Sequence, residues 1–246
     1  MKYKEYGLKN NDIIILLHGG GLSWWNYIDE IELLKDEFHI VIPILDGHSD
    51  SDTNFTSIEN NALEIIDFIN ENCNGKVKLM GGLSLGGQVL LEILSKNSNI
   101  CEYAIIESAL VIPMKLTYKM IKPIFHLTYG FIKKSWFSKL QFKNLKIKNS
   151  LYDLYYRDTC KISKDNYIAF MKSNSSYEVK NTLSYTKAKV LILVGSEEKS
   201  IMKKSAVKIA DFIPNSELEI LQGYYHGDIS INHADDYVAR VKELID

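Results

Sequence analysis

Val77-Lys78-Leu79-Met80-Gly81-Gly82-Leu83-Ser84-Leu85-Gly86-Gly87-Gln88 decides how this chain folds. Val77 to Met80 reads as a short buried strand, and a helical pattern starts near Gln88. Between them lies Gly82-Leu83-Ser84-Leu85-Gly86, a Gly-x-Ser-x-Gly pattern that is informative because a strand precedes it and a helix follows. A serine in so sharp a turn must hold strained backbone angles, and the flanking glycines remove side chains that would collide with strand and helix. The turn lifts the hydroxyl clear of the sheet. It leaves the Leu85 N–H at a helix N-terminus, where developing negative charge is stabilised. The bland competitor is a tight turn whose serine merely caps a helix.

Outward from this turn the chain alternates apolar runs with helical patterns. Ile13 to Leu17, His39 to Ile42, Tyr103 to Ile106, Val190 to Val194 and Leu218 to Leu221 join Val77 to Met80 as candidate strands. Ile13-Ile14-Ile15-Leu16-Leu17 is continuously apolar, as a strand buried on both faces of a parallel sheet must be. Ile58, Ala62, Ile65, Ile66 and Ile69 form one helical stripe, with Ser57 placed to cap it. Gln88 to Ser95, Ile201 to Phe212 and Ala234 to Leu244 read as further helices. The alternation predicts an α/β fold with right-handed crossovers.

From Pro113 to Lys187 the alternation stops, and the segment is too long for a plain loop, so it should carry helices of its own. It holds 15 Lys+Arg against 4 Asp+Glu, a balance of +11. The rest of the chain holds 29 − 15 = 14 basic and 31 − 4 = 27 acidic residues, a balance of −13. Either a basic segment docks on an acidic core, or the lysines attract an anionic substrate or lipid surface.

The overall charge of −2 argues against nucleic-acid binding through net charge. Cys73, Cys101 and Cys160 form neither a disulfide framework nor a zinc knuckle, and no apolar stretch reaches the roughly 18 residues of a membrane span. The opening Met1-Lys2-Tyr3-Lys4-Glu5-Tyr6 lacks the apolar centre of a signal peptide, so a cytoplasmic location is expected. No phosphate-cradling, dinucleotide or zinc-hydrolase motif occurs, so neither a cofactor nor a metal is expected.

His18-Gly19-Gly20-Gly21 closes the first buried strand and lets backbone N–H groups turn toward a ligand, as an oxyanion hole requires. With Asp46-Gly47-His48, the Ser84 turn and Tyr225-His226-Gly227, this set resembles the α/β-hydrolase fold, specifically small capped serine hydrolases of the esterase, lipase and carbon–carbon hydrolase type. The likeness spans residues 13–111 and 188–246. It implies a mostly parallel sheet flanked by helices, residues 1–112 and 188–246 as core, and 113–187 as an inserted helical cap between the family's sixth and seventh strands. It also implies Ser84 as nucleophile, with the Gly20 and Leu85 N–H groups as oxyanion hole.

A serine hydroxyl needs a base to take its proton, and His226, after the last strand, is the best placed of the six histidines. His18 and His48 look structural. The family's acid usually follows the strand after the cap and is most often Asp; here that strand runs into Gly195-Ser196-Glu197-Glu198. Glu198 matches best, with Glu197 and Glu107 as alternatives. Trp24 and Trp25, after the glycine loop, either pack in the core or line an acyl pocket.

The expected activity is hydrolysis of a small acyl or aryl ester through an acyl-enzyme with a Ser-His-Glu triad. A carbon–carbon bond hydrolase, peptidase, acyltransferase or perhydrolase on the same triad, and a non-enzymatic ligand receptor of the same fold, are the competing readings. Peripheral lipid contact by the basic segment is a further expectation.

Overall fold

The strand that ends at Ser84 occupies the centre of a seven-stranded sheet in a computed structural model describing residues 1–246. The strands are β1 (Lys2–Tyr6), β2 (Ile13–Leu17), β3 (His39–Ile44), β4 (Val77–Leu83), β5 (Cys101–Glu107), β6 (Lys189–Gly195) and β7 (Ser216–Leu221), in the order β1-β3-β2-β4-β5-β6-β7. Every adjacent pair is parallel except β1, which runs antiparallel along β3 and forms the N-terminal edge alone. The strand order reverses direction between β2 and β4. Loops leaving these two neighbours diverge, and the crevice they open lies at the carboxyl ends of the strands, where open α/β sheets hold their ligands.

The helices are α1 (Ile28–Leu34), α2 (Ile58–Asn72), α3 (Leu85–Lys96), α4 (Lys115–Ile132), α5 (Ser135–Asn144), α6 (Tyr152–Lys161), α7 (Lys164–Ser176), α8 (Ser200–Phe212), α9 (Asp228–Asn232) and α10 (Ala234–Ile245). Side chains alternate across each strand, so the sheet buries two apolar faces. Ile15, Leu17, Met80, Ile106 and Ile192 pack beneath α2, α3 and α8. Ile14, Leu16, Leu79, Ile105 and Leu191 pack against α1 and α10 through Ile31, Leu34, Tyr237 and Val241. The stripe read from Ile58 to Ile69 is the buried face of α2, and Ser57 Oγ caps that helix by accepting from the Asn60 N–H at 3.0 Å.

Between β5 and β6 the chain runs through α4, α5, α6 and α7. Phe125 of α4 stacks on Tyr167 of α7 with centroids 5.3 Å apart, and Tyr129 donates its hydroxyl to the Ile162 carbonyl at 2.9 Å. Two polar links tie these helices to the rest of the chain. Trp25 donates its indole N–H to Asp158 at 2.9 Å. Gln88, in the first turn of α3, donates to the carbonyls of Leu110 and Asn174 and accepts from the Asn174 amide at 3.0 Å. Ion pairs reach acidic residues outside the segment at Lys148–Asp29, at Lys161–Asp50 (2.6 Å) and at Lys180–Glu59 (3.7 Å). No helix is long and apolar enough to cross a membrane.

Candidate active site

Ser84 has φ 53° and ψ −108°, a conformation that costs a non-glycine residue about 1–3 kcal/mol. Its surroundings force that geometry. The Ser84 N–H donates to the Glu107 carbonyl at 2.9 Å on β5, while the Ser84 carbonyl accepts from the Gln88 N–H at 3.0 Å and begins α3. A side-chain carbon at Gly82 would meet the Gly86 carbonyl oxygen at 2.6 Å, and one at Gly86 would meet the Leu17 oxygen at 2.1 Å. Only glycine fits at either position, and the hydroxyl is left partly exposed at the end of the sheet.

His226 stands in the loop between β7 and α9, braced where the Tyr225 N–H donates to the Asp228 carboxylate at 3.1 Å. Its Nε2 lies 3.1 Å from Ser84 Oγ and its Nδ1 2.7 Å from Glu198 Oε2. An ionised carboxylate only accepts, so the proton sits on Nδ1 and Nε2 is free to accept from the hydroxyl. Glu198 follows β6 and is buried. Its other oxygen accepts from Ser108 Oγ at 2.7 Å and from the Gly195 N–H at 2.9 Å. Burial pushes its pKa up. Hydrogen bonds from His226, Ser108 and Gly195 outweigh that and hold the carboxyl below its ordinary value.

The other two acid candidates are not brought to the imidazole. The Glu197 side chain meets Ser196 Oγ at 3.2 Å, on the exposed side of the loop. Glu107 is buried at the end of β5, where its Oε1 is 3.5 Å from the Ser230 N–H and its Oε2 has no partner. Burial pushes its pKa up to about 7.

A side-chain carbon on Gly20 would lie 3.4 Å from Leu85 Cβ, so the two residues face each other across the mouth of the Ser84 turn. Leu85 is the first residue of α3, and its N–H has no earlier turn of helix to bond. His18 is buried with Nδ1 2.9 Å from the Gly19 carbonyl, and its Nε2 accepts from the Leu45 N–H at 3.1 Å. Burial lowers its pKa to about 3 and that of His48 to about 4, so both stay neutral and brace the loops.

Trp24 and Trp25 stand away from the Ser84 cavity. Trp25 is fully buried on Asp158, and Trp24 packs on Tyr6 at 6.3 Å. The cavity beside Ser84, about 100 Å³, is walled by Leu22, Leu83, Ile231 and, from the segment between β5 and β6, Leu145 and Ile147. A wider cleft of about 430 Å³ also borders His226 and Leu145, with Met114, Ile201, Met202 and Tyr225 among its apolar walls. No cluster of three or more His, Cys, Asp or Glu side chains is arranged to hold a metal ion.

Nothing in the sequence marks Ser108, whose positive φ of 52° at a non-glycine residue leaves no compositional trace. Leu145 and Ile147 were equally silent, being two apolar residues in an apolar, basic stretch.

A model of the alpha/beta hydrolase family matches residues 14–240. The chain belongs to that family. Solved structures similar to this hydrolase include an esterase from Thermogutta terrifontis (16% identity, 100% of this chain and 94% of the other, TM-score 0.77). An enol-lactonase from Burkholderia xenovorans LB400 matches with 12% identity over 99% and 95% of the chains and a TM-score of 0.81. A bromoperoxidase from Bacillus anthracis matches with 15% identity over 99% and 94% and a TM-score of 0.82. At these identities the shared property is the fold.

Proposed function

We propose that this alpha/beta hydrolase is a serine esterase acting on small carboxylic esters with an apolar acyl group. The observation that carries the reading is His226, whose two ring nitrogens lie 3.1 Å from Ser84 Oγ and 2.7 Å from Glu198 Oε2. Ser84 Oγ attacks the ester carbonyl carbon as His226 Nε2 takes its proton, and Glu198 stabilises the imidazolium through Nδ1–H. The Gly20 and Leu85 N–H groups hold the tetrahedral oxyanion. His226 returns the proton to the leaving alkoxide, which departs as an alcohol and leaves an acyl-Ser84. Water, deprotonated by the same imidazole, then attacks the acyl carbon and releases the acid.

Size and lining support a short apolar acyl group: the cavity of about 100 Å³ beside Ser84 has room for a few carbons. The wider apolar cleft beside His226 receives the alcohol part. Residues 113–187 act as a cap that sets these walls over a core made of 1–112 and 188–246.

A fluorophosphonate probe tests the nucleophile, and a series of p-nitrophenyl esters of increasing chain length tests turnover. The expected result is labelling on Ser84 and turnover that favours short acyl chains. Ser84→Ala should lower turnover by about 10³-fold or more without changing the melting temperature. Full activity in that variant rejects the mechanism. Rapid labelling without turnover of any ester moves the assignment to another reaction on the triad, or to ligand reception.

A further inference from the structure

The α4 helix carries two apolar faces, and only one of them is used. At about 100° per residue, Ile121, Phe125, Tyr129 and Ile132 share the face that packs on α7 and the core. Leu116, Met120, Ile124, Leu127 and Phe131 share a second face, about 100° wide, that lies in solvent. Leu116 is 76% and Leu127 80% exposed, and α5 extends the patch with Leu140 and with Trp136 at 62%. Isolated exposed apolar residues need no explanation, but a continuous stripe of this length does.

Charge says what covers it. From Ser108 to Tyr152 there is no Asp or Glu, while the same stretch has nine lysines. Lys115, Lys119, Lys122 and Lys133 fall on one flank of α4, beside the exposed stripe. None of the seven lysines from Lys115 to Lys143 is paired with a carboxylate; the ion pairs to acidic residues outside the segment are made by Lys148, Lys161 and Lys180. A second copy of the chain is a poor occupant, because a two-fold contact through this face sets one unpaired lysine cluster against its twin. An apolar stripe edged by unpaired lysines and an exposed tryptophan fits a bilayer interface with anionic headgroups.

We propose that the outer face of α4 and α5 seats the protein on an anionic lipid bilayer, with Leu116, Leu127, Phe131 and Trp136 in the interfacial layer and the lysines on the headgroups. α5 runs directly into Leu145 and Ile147, so the lipid-facing surface adjoins the wall of the Ser84 cavity. The assignment does not depend on the esterase reading, and its test does not require turnover.

Co-sedimentation with vesicles of phosphatidylcholine alone, and of phosphatidylcholine containing about 30% phosphatidylglycerol, is the test. The 246-residue protein should bind the anionic vesicles at least about tenfold more tightly, with binding weakened by about 0.5 M NaCl and a blue shift in Trp136 emission that Trp136→Phe abolishes. Leu116→Glu with Leu127→Glu should lower binding about tenfold or more with an unchanged circular dichroism spectrum. Lys119→Glu with Lys122→Glu, which leaves the apolar stripe intact, should do so on anionic vesicles alone. Equal pelleting of wild type and both variants, or no vesicle binding by the wild type, overturns the proposal. So does a wild-type dimer that the leucine variant converts to monomer while neither associates with vesicles.

Discussion

Glu198 sets one oxygen on His226 and gives the other to Ser108 and the Gly195 N–H, so the carboxylate is fixed at both ends. Glu198→Gln should lower kcat about 10³–10⁴-fold, because an amide presents a donor where the imidazole needs an acceptor. Ser108→Ala should cost roughly tenfold in kcat with little change in KM. Because Ser108 helps hold the Glu198 carboxyl below its ordinary pKa, that variant should also steepen the acid limb of the pH–rate profile as Glu198 begins to titrate there. A kcat loss with an unchanged profile would make Ser108 merely structural. Glu107 works in the opposite sense. The folded protein holds its proton up to about 7 against an ordinary 4.5, so ionisation opposes folding. The penalty is absent below the ordinary value, grows through neutrality and is complete above about 7. Glu107→Gln should therefore stabilise the protein by about 1–3 kcal/mol at pH 8 in urea unfolding, with the gain fading as pH falls to about 4.5. Ser84 and His226 were legible because their chemistry needs a particular residue type in a particular context. Three glutamates met the same description, and separating them took distances. Trp24 and Trp25 leave two readings open in the sequence, because an aromatic beside a glycine loop reads alike whether its ring faces a cavity or, like Trp25, a buried carboxylate.

The strands were readable wherever both faces are buried, since Ile13 to Leu17 or Val190 to Val194 has no polar side to show. β1 has no such run: Lys2-Tyr3-Lys4-Glu5-Tyr6 is an edge strand, exposed along most of its length, whose backbone pairing with β3 is joined by one side-chain contact, Glu5 to His39 at 2.7 Å. The boundaries of α4 to α7 were hidden for a related reason. α5 and α7 mix apolar and polar residues all round the helix, so neither shows one clean stripe. Besides the apolar packing of Tyr155, one buried polar contact ties α6 to the turn that follows β2. Asp158 accepts from the Trp25 indole at 2.9 Å and from Arg157 at 2.7 and 2.9 Å. Trp25→Phe keeps an aromatic ring but leaves that carboxylate one donor short, and should cost about 1–3 kcal/mol. Hydrogen exchange should then rise first in α6, ahead of the sheet.

Across the whole molecule the two charge excesses, +11 and −13, meet at few points. Lys148–Asp29, Lys161–Asp50 and Lys180–Glu59 are surface pairs, each worth about 0–1 kcal/mol. Raising NaCl from about 0.1 to 0.5 M should therefore move the melting temperature by no more than about 2–4 °C. Lys161→Ala combined with Lys180→Ala should cost under about 2 kcal/mol in urea unfolding. A large salt-induced loss would mean that the charges, rather than Gln88, Trp25 and the apolar contacts, hold the helices down. The long excursion that carries α4 to α7 leaves from β5 and returns on β6, and those two strands are neighbours. Because these two strands run parallel, the excursion starts at the carboxyl end of the sheet and must come back to the opposite end, where the Lys187 N–H donates to the Ser98 carbonyl at 2.7 Å. A stretch exchanged for it would have to run the full length of the strands as well as cover the Ser84 end of the sheet. Residues 177–187 are the return track of this crossover, so a change of length is accommodated in the helices that precede it.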